Sequence, residues 1–161
     1  MSDFPPLAEL AAQEEELQLR SFTNDDAWAL GAALVARAQD GRLPVAIEIS
    51  RHSHQLFHAA MTGATPDNDT WIARKAATVH RFGHSSLYVG QRSREAGTTF
   101  EEQFGLDPRQ YVAHGGGFPL LVRDVGPVGV VVVSGLPQVE DHAMVVAALR
   151  DLVTRQSAGP T

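Results

Sequence analysis

The sequence predicts an α/β (α+β) domain with an antiparallel sheet of about five strands and helices packed on it. The strand-like segments fall into two groups, within residues 44–61 and 111–133, and helical patterns precede, separate and follow them. Strands adjacent along a chain tend to pair with each other, whereas a regular alternation of strand and helix predicts a parallel sheet. A length of 161 residues and a hydrophobic fraction of 43% suit one domain spanning residues 1–161.

Two helices are predicted at the N-terminal end. Residues 5–18 form the first, because two prolines open the segment and apolar residues recur on one face, while Glu14, Glu15 and Glu16 mostly face water. Thr23 opens a second helix with the spacing of a capping box, and this helix ends near Gln39. The inward residues are Leu7, Leu10, Ala11 and Leu17 in the first helix, and Ala27, Leu30, Leu34 and Ala38 in the second.

The middle of the chain combines a hairpin with a strongly signalled helix. Residues 44–50 alternate between apolar and other residues, which predicts a strand, and residues 56–61 are expected to pair with it. Thr65, followed by proline and aspartate, begins a helix that runs to about Phe82 and ends at Gly83. Further helical stretches are expected at 85–96 and 100–104.

The C-terminal part returns to strands and closes with a helix. Residues 111–122 are predicted to be extended, and Val128–Val133 is nearly all valine, which indicates a strand buried on both faces. A helix follows residues 135–137. Its apolar stripe comprises His142, Val145, Val146, Leu149, Leu152 and Val153.

The composition excludes several classes of function. The chain has no cysteine, which rules out disulfides, thiolate metal sites and a cysteine nucleophile. Its net charge of −6 repels phosphate backbones, so no nucleic-acid partner is expected. No membrane partner is expected either, since no run approaches the ~20 apolar residues of a membrane span. Residues 1–6 lack the basic and apolar parts of a signal peptide, and we expect a cytoplasmic location.

The helix after Thr65 carries the first candidate binding residues. Trp71, Arg74, Lys75 and Thr78 have helical spacing and share one face. An indole ring beside two cations could hold a flat acidic ligand by stacking and by charge-assisted hydrogen bonds. The alternative is structural: the two long side chains cover a half-buried surface while their charged ends reach water.

A run of three glycines, Gly115, Gly116 and Gly117, follows His114. Such a run lets the backbone approach a ligand and direct amide groups at an anion. The alternative is a bulge or tight turn at the beginning of a strand. We expect the glycines to face the two cations of the preceding helix, because cations that point into a protein require a compensating anion. His142 is a further candidate, with a buried, hydrogen-bonded ring as its alternative.

Three other histidines have a spacing seen in metal sites. His52, His54 and His58 would share one face if residues 52–58 formed one unbroken strand. A loop lies close by in the sequence, so we favour a solvated hairpin tip. No metal site is predicted.

Two long motifs together indicate a family. The residues concerned are Gly63-Ala64-Thr65-Pro66-Asp67-Asn68, Trp71, Arg74-Lys75, Thr78-Val79, Phe82, Ser85-Ser86 and Gly90, then His114-Gly115-Gly116-Gly117-Phe118-Pro119, Gly129, Ser134-Gly135-Leu136-Pro137 and Asp141-His142. Over nearly the whole chain, this pattern resembles the GlcG/HbpS-like haem-degrading domain family, and within it the short cytosolic branch.

The resemblance implies a profilin-like α/β/α domain that assembles into a homo-oligomer and holds a ligand near the glycine run. The family name makes haem a candidate cofactor, with propionates at Arg74 and Lys75, the porphyrin against Trp71 and His142 as a candidate axial ligand. The first hypothesis is a module that binds a small acidic or planar ligand. Its candidate binding residues are Trp71, Arg74, Lys75, His114, Gly115, Gly116, Gly117 and His142.

Two other functions stay open at this point. In an enzyme acting on a small carboxylated or carbonyl metabolite, His114 would be the general acid/base, and Arg74 with the glycine amides would stabilise an oxyanion. In an oligomeric scaffold, the surface of the assembly would bind another protein.

Overall fold

Residues 3–159 are described by a computed structural model and contain six helices and five strands. The helices are α1 (Leu7–Glu16), α2 (Asn24–Gly41), α3 (Pro66–Phe82), α4 (Ser86–Glu95), α5 (Phe100–Phe104) and α6 (Gln138–Ser157). The strands are β1 (Gln18–Leu19), β2 (Ala46–Arg51), β3 (His54–Ala60), β4 (Gly117–Val122) and β5 (Gly126–Ser134). Met1 and Ser2, which belong to the N-terminal segment considered for a signal peptide, lie outside the described residues.

Helices α2 and α3 begin where the sequence predicted, after the N-cap residues Thr23 and Thr65. The Asp26 amide donates to Thr23 Oγ1 at 3.2 Å, and the Thr23 amide donates to the Asp26 carboxylate at 2.8 Å, which completes a capping box. Thr65 and Asn68 form the same arrangement at the start of α3. Gly83 ends α3 in the left-handed conformation, with φ 70°. Both ends of the helix that carries the candidate residues are therefore determined locally.

The five strands form one sheet in the order β1-β4-β5-β2-β3. The pairs β4–β5, β5–β2 and β2–β3 are antiparallel, whereas β1 pairs with β4 in parallel. The register places Val131 of β5 opposite both Phe118 of β4 and Ile49 of β2. The predicted α+β class is confirmed, and β5 occupies the centre of the sheet.

Side chains of β5 alternate between two hydrophobic cores on opposite faces of the sheet. Val131 and Val133 pack with α2 and α6, and Val130 and Val132 pack against α3. All four are at most 1% exposed, as predicted for a strand buried on both faces. The domain therefore has three layers, with α3 on one face of the sheet and α2 and α6 on the other.

Two predicted extents require correction. The helix predicted over 5–18 ends at Glu16, because β1 follows and pairs with the edge of β4. A strand of two residues is too short to show any periodicity. Of the segment predicted to be extended over 111–122, only Gly117–Val122 is a strand. Residues 111–116 are irregular and turn at the first two glycines.

One face of α1 also differs from the prediction. Glu14, expected in water, is 7% exposed, and its carboxylate accepts hydrogen bonds from His84 Nδ1 at 2.7 Å and from the Ser85 amide at 3.2 Å. Ala11, expected inside, is exposed. A buried carboxylate with two donors is well satisfied. The helix thus docks on the start of α4 through a polar contact that hydrophobic spacing does not reveal.

The histidines of the β2–β3 hairpin do not form one row. His52 lies in the turn with φ 54°, and His54 begins β3, so the unbroken strand over 52–58 is wrong and the exposed hairpin tip is correct. His58 Nε2 lies 2.8 Å from Asp69 Oδ1 of α3. Residues 3–159 contain no group of three or more metal-ligating side chains arranged to hold an ion. They also contain no helix long and apolar enough to cross a membrane.

Candidate functional site

A polar cavity of about 310 Å³ lies where α3, the end of β5 and the start of α6 meet. Its volume is at the lower end of the range of roughly 300–1,000 Å³ for small-molecule sites. Three surface grooves, of about 360, 500 and 510 Å³, are larger, but none of them contains a buried charged group. The cavity is lined by Asn68, Trp71 and Lys75 of α3, by His114, by residues 134–138, and by Asp141 of α6.

Lys75 supplies the cation of this cavity. The residue is 2% exposed, and its Nζ donates to the Val133 carbonyl oxygen at 3.1 Å and to Asp141 Oδ2 at 3.2 Å. Burial lowers the pKa of the Lys75 amine, although the charge of Asp141 opposes this effect. An ammonium group has three donors. The described residues provide acceptors for two of them, which leaves one for a ligand.

Asp141 is the anion that compensates Lys75. Its carboxylate also accepts hydrogen bonds from the amides of Gly135 at 3.3 Å and Leu136 at 3.0 Å. Burial raises the pKa of Asp141, while Lys75 and the two amides act in the opposite direction. The sequence-based expectation that a bound ligand would supply the compensating charge is therefore corrected for Lys75: the balancing charge belongs to the protein.

His114 stands at the mouth of the cavity against the indole of Trp71. The two ring centroids are 5.2 Å apart and the rings are tilted by 36°. His114 is exposed on its outer side. Burial of its inner side lowers its pKa, and the nearby charge of Lys75 lowers the pKa further. The imidazole is thus neutral at pH 7, and neither ring nitrogen has a hydrogen-bond partner within residues 3–159.

The amides of the glycine run are largely engaged by the protein itself. The Gly115 amide donates to Gln138 Oε1 at 3.0 Å, and the Gly117 amide donates to Ser86 Oγ at 3.0 Å. Two of the three amides proposed for anion binding are therefore already satisfied. This observation favours the alternative interpretation, in which the glycines form a tight turn before β4.

Gly116 is required by the close approach of other groups. Its φ is 131°, and a β-carbon there would lie 2.3 Å from the Val133 carbonyl oxygen and 2.7 Å from Lys75 Nζ. Only a residue without a side chain fits in this position. Gly116 therefore provides the space in which the Lys75 ammonium group lies, and α3 does face the glycine run as predicted.

The side chain of Arg74 does not point into the cavity that Lys75 lines. Its guanidinium lies over the Trp71 ring, 4.2 Å from the centroid, and its Nη1 approaches the Pro108 carbonyl oxygen at 3.4 Å. It lines a separate recess with Arg109. Successive helical residues project about 100° apart, because a turn contains ~3.6 residues. The two cations therefore do not converge on one anion, contrary to the expectation from their shared face.

His142 is buried beneath the cavity and does not line it. The residue is 3% exposed, and its Nε2 lies 2.7 Å from Gln13 Oε1 of α1. Nδ1 is buried and has no partner among the described residues. Burial lowers the pKa of His142 to about 4. The structure therefore favours the alternative of a buried, hydrogen-bonded ring over a ligand-binding role for His142. The hydrogen-bond partner is the side chain of Gln13.

Seven lining residues were not among the sequence candidates, and four of these have polar side chains: Asn68, Ser134, Gln138 and Asp141. Asn68 and Asp141 do carry a signal, because both lie in the first turn of a helix, where side chains bond to exposed backbone amides. Ser134 has no local signal of this kind, although it belongs to the family motif Ser134-Gly135-Leu136-Pro137, and Gln138 has neither. Their position depends on β5 and α6 meeting at one corner, which is a tertiary property.

The protein is thus a small α+β domain with a polar cavity at one end of its central strand, β5. The chain belongs to the family described as "Haem degrading protein HbpS-like", whose sequence model matches residues 22–150. A UPF0303 protein of Streptomyces coelicolor is 58% identical over 149 residues, which cover 92% of this chain and 94% of that protein.

Solved structures agree with this assignment. The structure of the Ybr137w protein has a TM-score of 0.86 and 38% identity, and the match covers 94% of this chain and 90% of that one. The structure of a PduOC–haem complex has a TM-score of 0.64 at 22% identity, with 83% and 95% of the chains covered. At that identity the second likeness shows a shared fold.

Proposed function

We propose that the protein is a small-ligand-binding module and that its ligand carries a carboxylate or carbonyl oxygen into the cavity beside Lys75. The observation that carries this proposal is the buried Lys75 ammonium group, which retains one donor toward the cavity. The family match and the haem complex of a structural neighbour support a haem-related role for such a module.

The cavity wall offers mainly hydrogen-bond donors. The side-chain oxygens of Asn68 and Gln138 already accept from backbone amides, which leaves their NH₂ groups for a ligand. Ser134 is 4% exposed and adds a hydroxyl. A cavity rich in donors recognises acceptor atoms, and a charged acceptor forms the stronger bonds. An acidic ligand with one planar ring, in contact with Trp71 and His114, fits this arrangement.

Haem fits this cavity only through its acidic groups. A propionate would match the donors, and the unpartnered imidazole of His114 has the chemistry of an axial ligand. The polar walls do not suit the apolar faces of a porphyrin, and 310 Å³ leaves no room to enclose one. To act as an axial ligand, His142 would first have to break its hydrogen bond with Gln13. A porphyrin plane therefore does not fit inside the cavity formed by one chain.

Benzoate is a suitable first probe, because it combines one ring with one carboxylate. The sequence has two tryptophans, and Trp28 is 67% exposed on α2, so Trp28→Phe leaves Trp71 as the only reporter. We expect benzoate to change the fluorescence of Trp71 in this background. Ser134→Ala should weaken binding, measured by calorimetry, by about 2- to 10-fold, since it removes one hydrogen bond.

The matched control is Arg74→Ala. Because Arg74 lies outside the cavity, this variant should bind benzoate within about twofold of the parent, whereas a shared cationic site would predict a loss of more than tenfold. Haemin is titrated in parallel and followed by visible absorbance. A haemin complex that survives Ser134→Ala, together with no benzoate binding, would contradict the proposal.

We also propose that the protein is a homo-oligomer. Strand β3 forms an edge of the sheet, and beside it the exposed Trp28 contacts Phe57 at a centroid distance of 5.6 Å. An open strand edge next to an exposed indole ring is a surface that a second copy can cover.

A further inference from the structure

Lys75 is the only lysine of the sequence, and every other basic residue among its 13 lysines and arginines is an arginine. Arginine cannot lose its proton in proteins, so it cannot act as an amine nucleophile. Lysine can, when its surroundings favour the neutral amine. The chain therefore has one side-chain amine, and this amine is buried at the wall of a cavity.

We propose that Lys75 forms an imine with a small aldehyde or 2-oxo acid that carries a carboxylate. The inference rests on the proposed function, because the carbonyl compound must first occupy the cavity. The carboxylate would meet the donor-rich wall at Ser134 and Asn68. The carbonyl carbon would then lie against Lys75.

Asp141 can carry every proton that the reaction needs. The Lys75 ammonium group gives a proton to the Asp141 carboxylate, 3.2 Å away, and the neutral amine attacks the carbonyl carbon. A C–N bond forms, the C=O π electrons move to oxygen, and Asp141 protonates that oxygen and takes a proton from nitrogen. Asp141 then protonates the hydroxyl group, the C–O bond breaks, and water leaves. The products are a protonated imine, water and the original carboxylate.

Burial favours this proton transfer, and two further features keep the reacting groups in place and accessible. Burial disfavours the charged forms of both partners, lowering the pKa of Lys75 and raising that of Asp141. The Gly135 and Leu136 amides favour the charged form of Asp141, and their contribution is positional: they hold the carboxylate beside Lys75 as its protonation changes. Gly116 leaves the amine free of a covering side chain.

The test uses 4-carboxybenzaldehyde and sodium cyanoborohydride, which reduces an imine to a stable secondary amine. An internal control is available in Arg123→Lys, which adds one exposed lysine to a chain that otherwise has only Lys75. Labelling at positions 75 and 123 is then compared within the same molecule by peptide mass spectrometry at pH 7.5. Each unit by which a pKa is lowered raises the neutral amine fraction about tenfold.

We expect Lys75 to be labelled at least about tenfold faster than the lysine introduced at position 123, and benzoate to slow labelling at position 75 alone. Labelling that is equal or faster at position 123 would overturn the inference. If benzoate still binds in that case, the binding proposal survives and only the imine chemistry falls. If benzoate does not bind and Lys75 is not labelled, both proposals fall together.

Discussion

Acid should destabilise this protein chiefly through His142. Folding keeps the ring neutral down to a pKa of about 4, whereas its ordinary value is 6.5. Between these values the unfolded chain binds more protons than the folded one, so the free energy of unfolding rises with pH. The stability is fully present above about pH 6.5 and is lost as the pH falls toward 4.

The structure sets the size of this effect. His142 is 3% exposed, so solvent screening is small. The whole shift corresponds to about 3 kcal/mol at ~1.36 kcal/mol per pKa unit. Between pH 7.5 and pH 5, linkage gives a loss of about 2 kcal/mol. For a chain of this length, that loss lowers Tm by roughly 4–8 °C.

The assay is urea unfolding of the parent and of His142→Gln at several pH values. At pH 7.5 the free energy of unfolding of the variant should be about 0.5–3 kcal/mol below that of the parent, as is common for buried substitutions. Between pH 7.5 and pH 5, however, the variant should lose about 2 kcal/mol less of this free energy than the parent does. The two proteins should therefore approach equal stability in acid. His114→Gln is the control: His114 also has a lowered pKa but is exposed, so most of the slope should remain. If the free energy of unfolding of His142→Gln depends on pH as strongly as that of the parent, the reasoning is refuted.

Three further predictions follow from the packing and the surface. Val131→Asp should abolish soluble expression, because a charge at a position with 0% exposure costs several kcal/mol; a cooperatively melting variant would contradict this. Light scattering should give a multiple of 17.4 kDa at micromolar concentration, and a mass equal to 17.4 kDa would exclude the homo-oligomer. Lys75→Met should cost about 3–5 kcal/mol because it leaves Asp141 unpaired, and adding Asp141→Asn in a double-mutant cycle should restore at least about 1 kcal/mol.

Most of the fold follows from local patterns in the sequence. The two capping boxes and Gly83 determine the ends of helices through hydrogen bonds within a few residues. The run Val128–Val133 indicates the centre of the sheet, because six apolar residues leave no solvent face. The two-residue strand β1 was not predictable, since its only support is the parallel edge of β4.

The site was predictable only in part. Helical spacing shows which side chains of α3 lie on the same face, but it does not show which of them point to the same group. It placed Lys75 beside Gly116 and Trp71 beside His114, as observed, but it grouped Arg74 with them. The partner of Lys75 was missed, because Asp141 is 66 residues away and reaches it only when α6 docks on the end of β5. Charge pairing between distant elements leaves no mark in local sequence patterns.

The buried pair raises the question of what Lys75 contributes beyond stability. Asp141 has a structural role of its own, since its carboxylate accepts the amides of Gly135 and Leu136 and so shapes the turn before α6. That role needs two acceptor atoms and no cation, and well-packed neutral residues often replace a buried ion pair without loss of stability. Lys75→Met/Asp141→Asn should therefore fold, because the side-chain oxygen of the introduced asparagine still accepts one backbone amide. If that variant melts close to the parent and yet binds benzoate more than about tenfold more weakly, stability does not account for the lysine, and recognition of a ligand by its amine does.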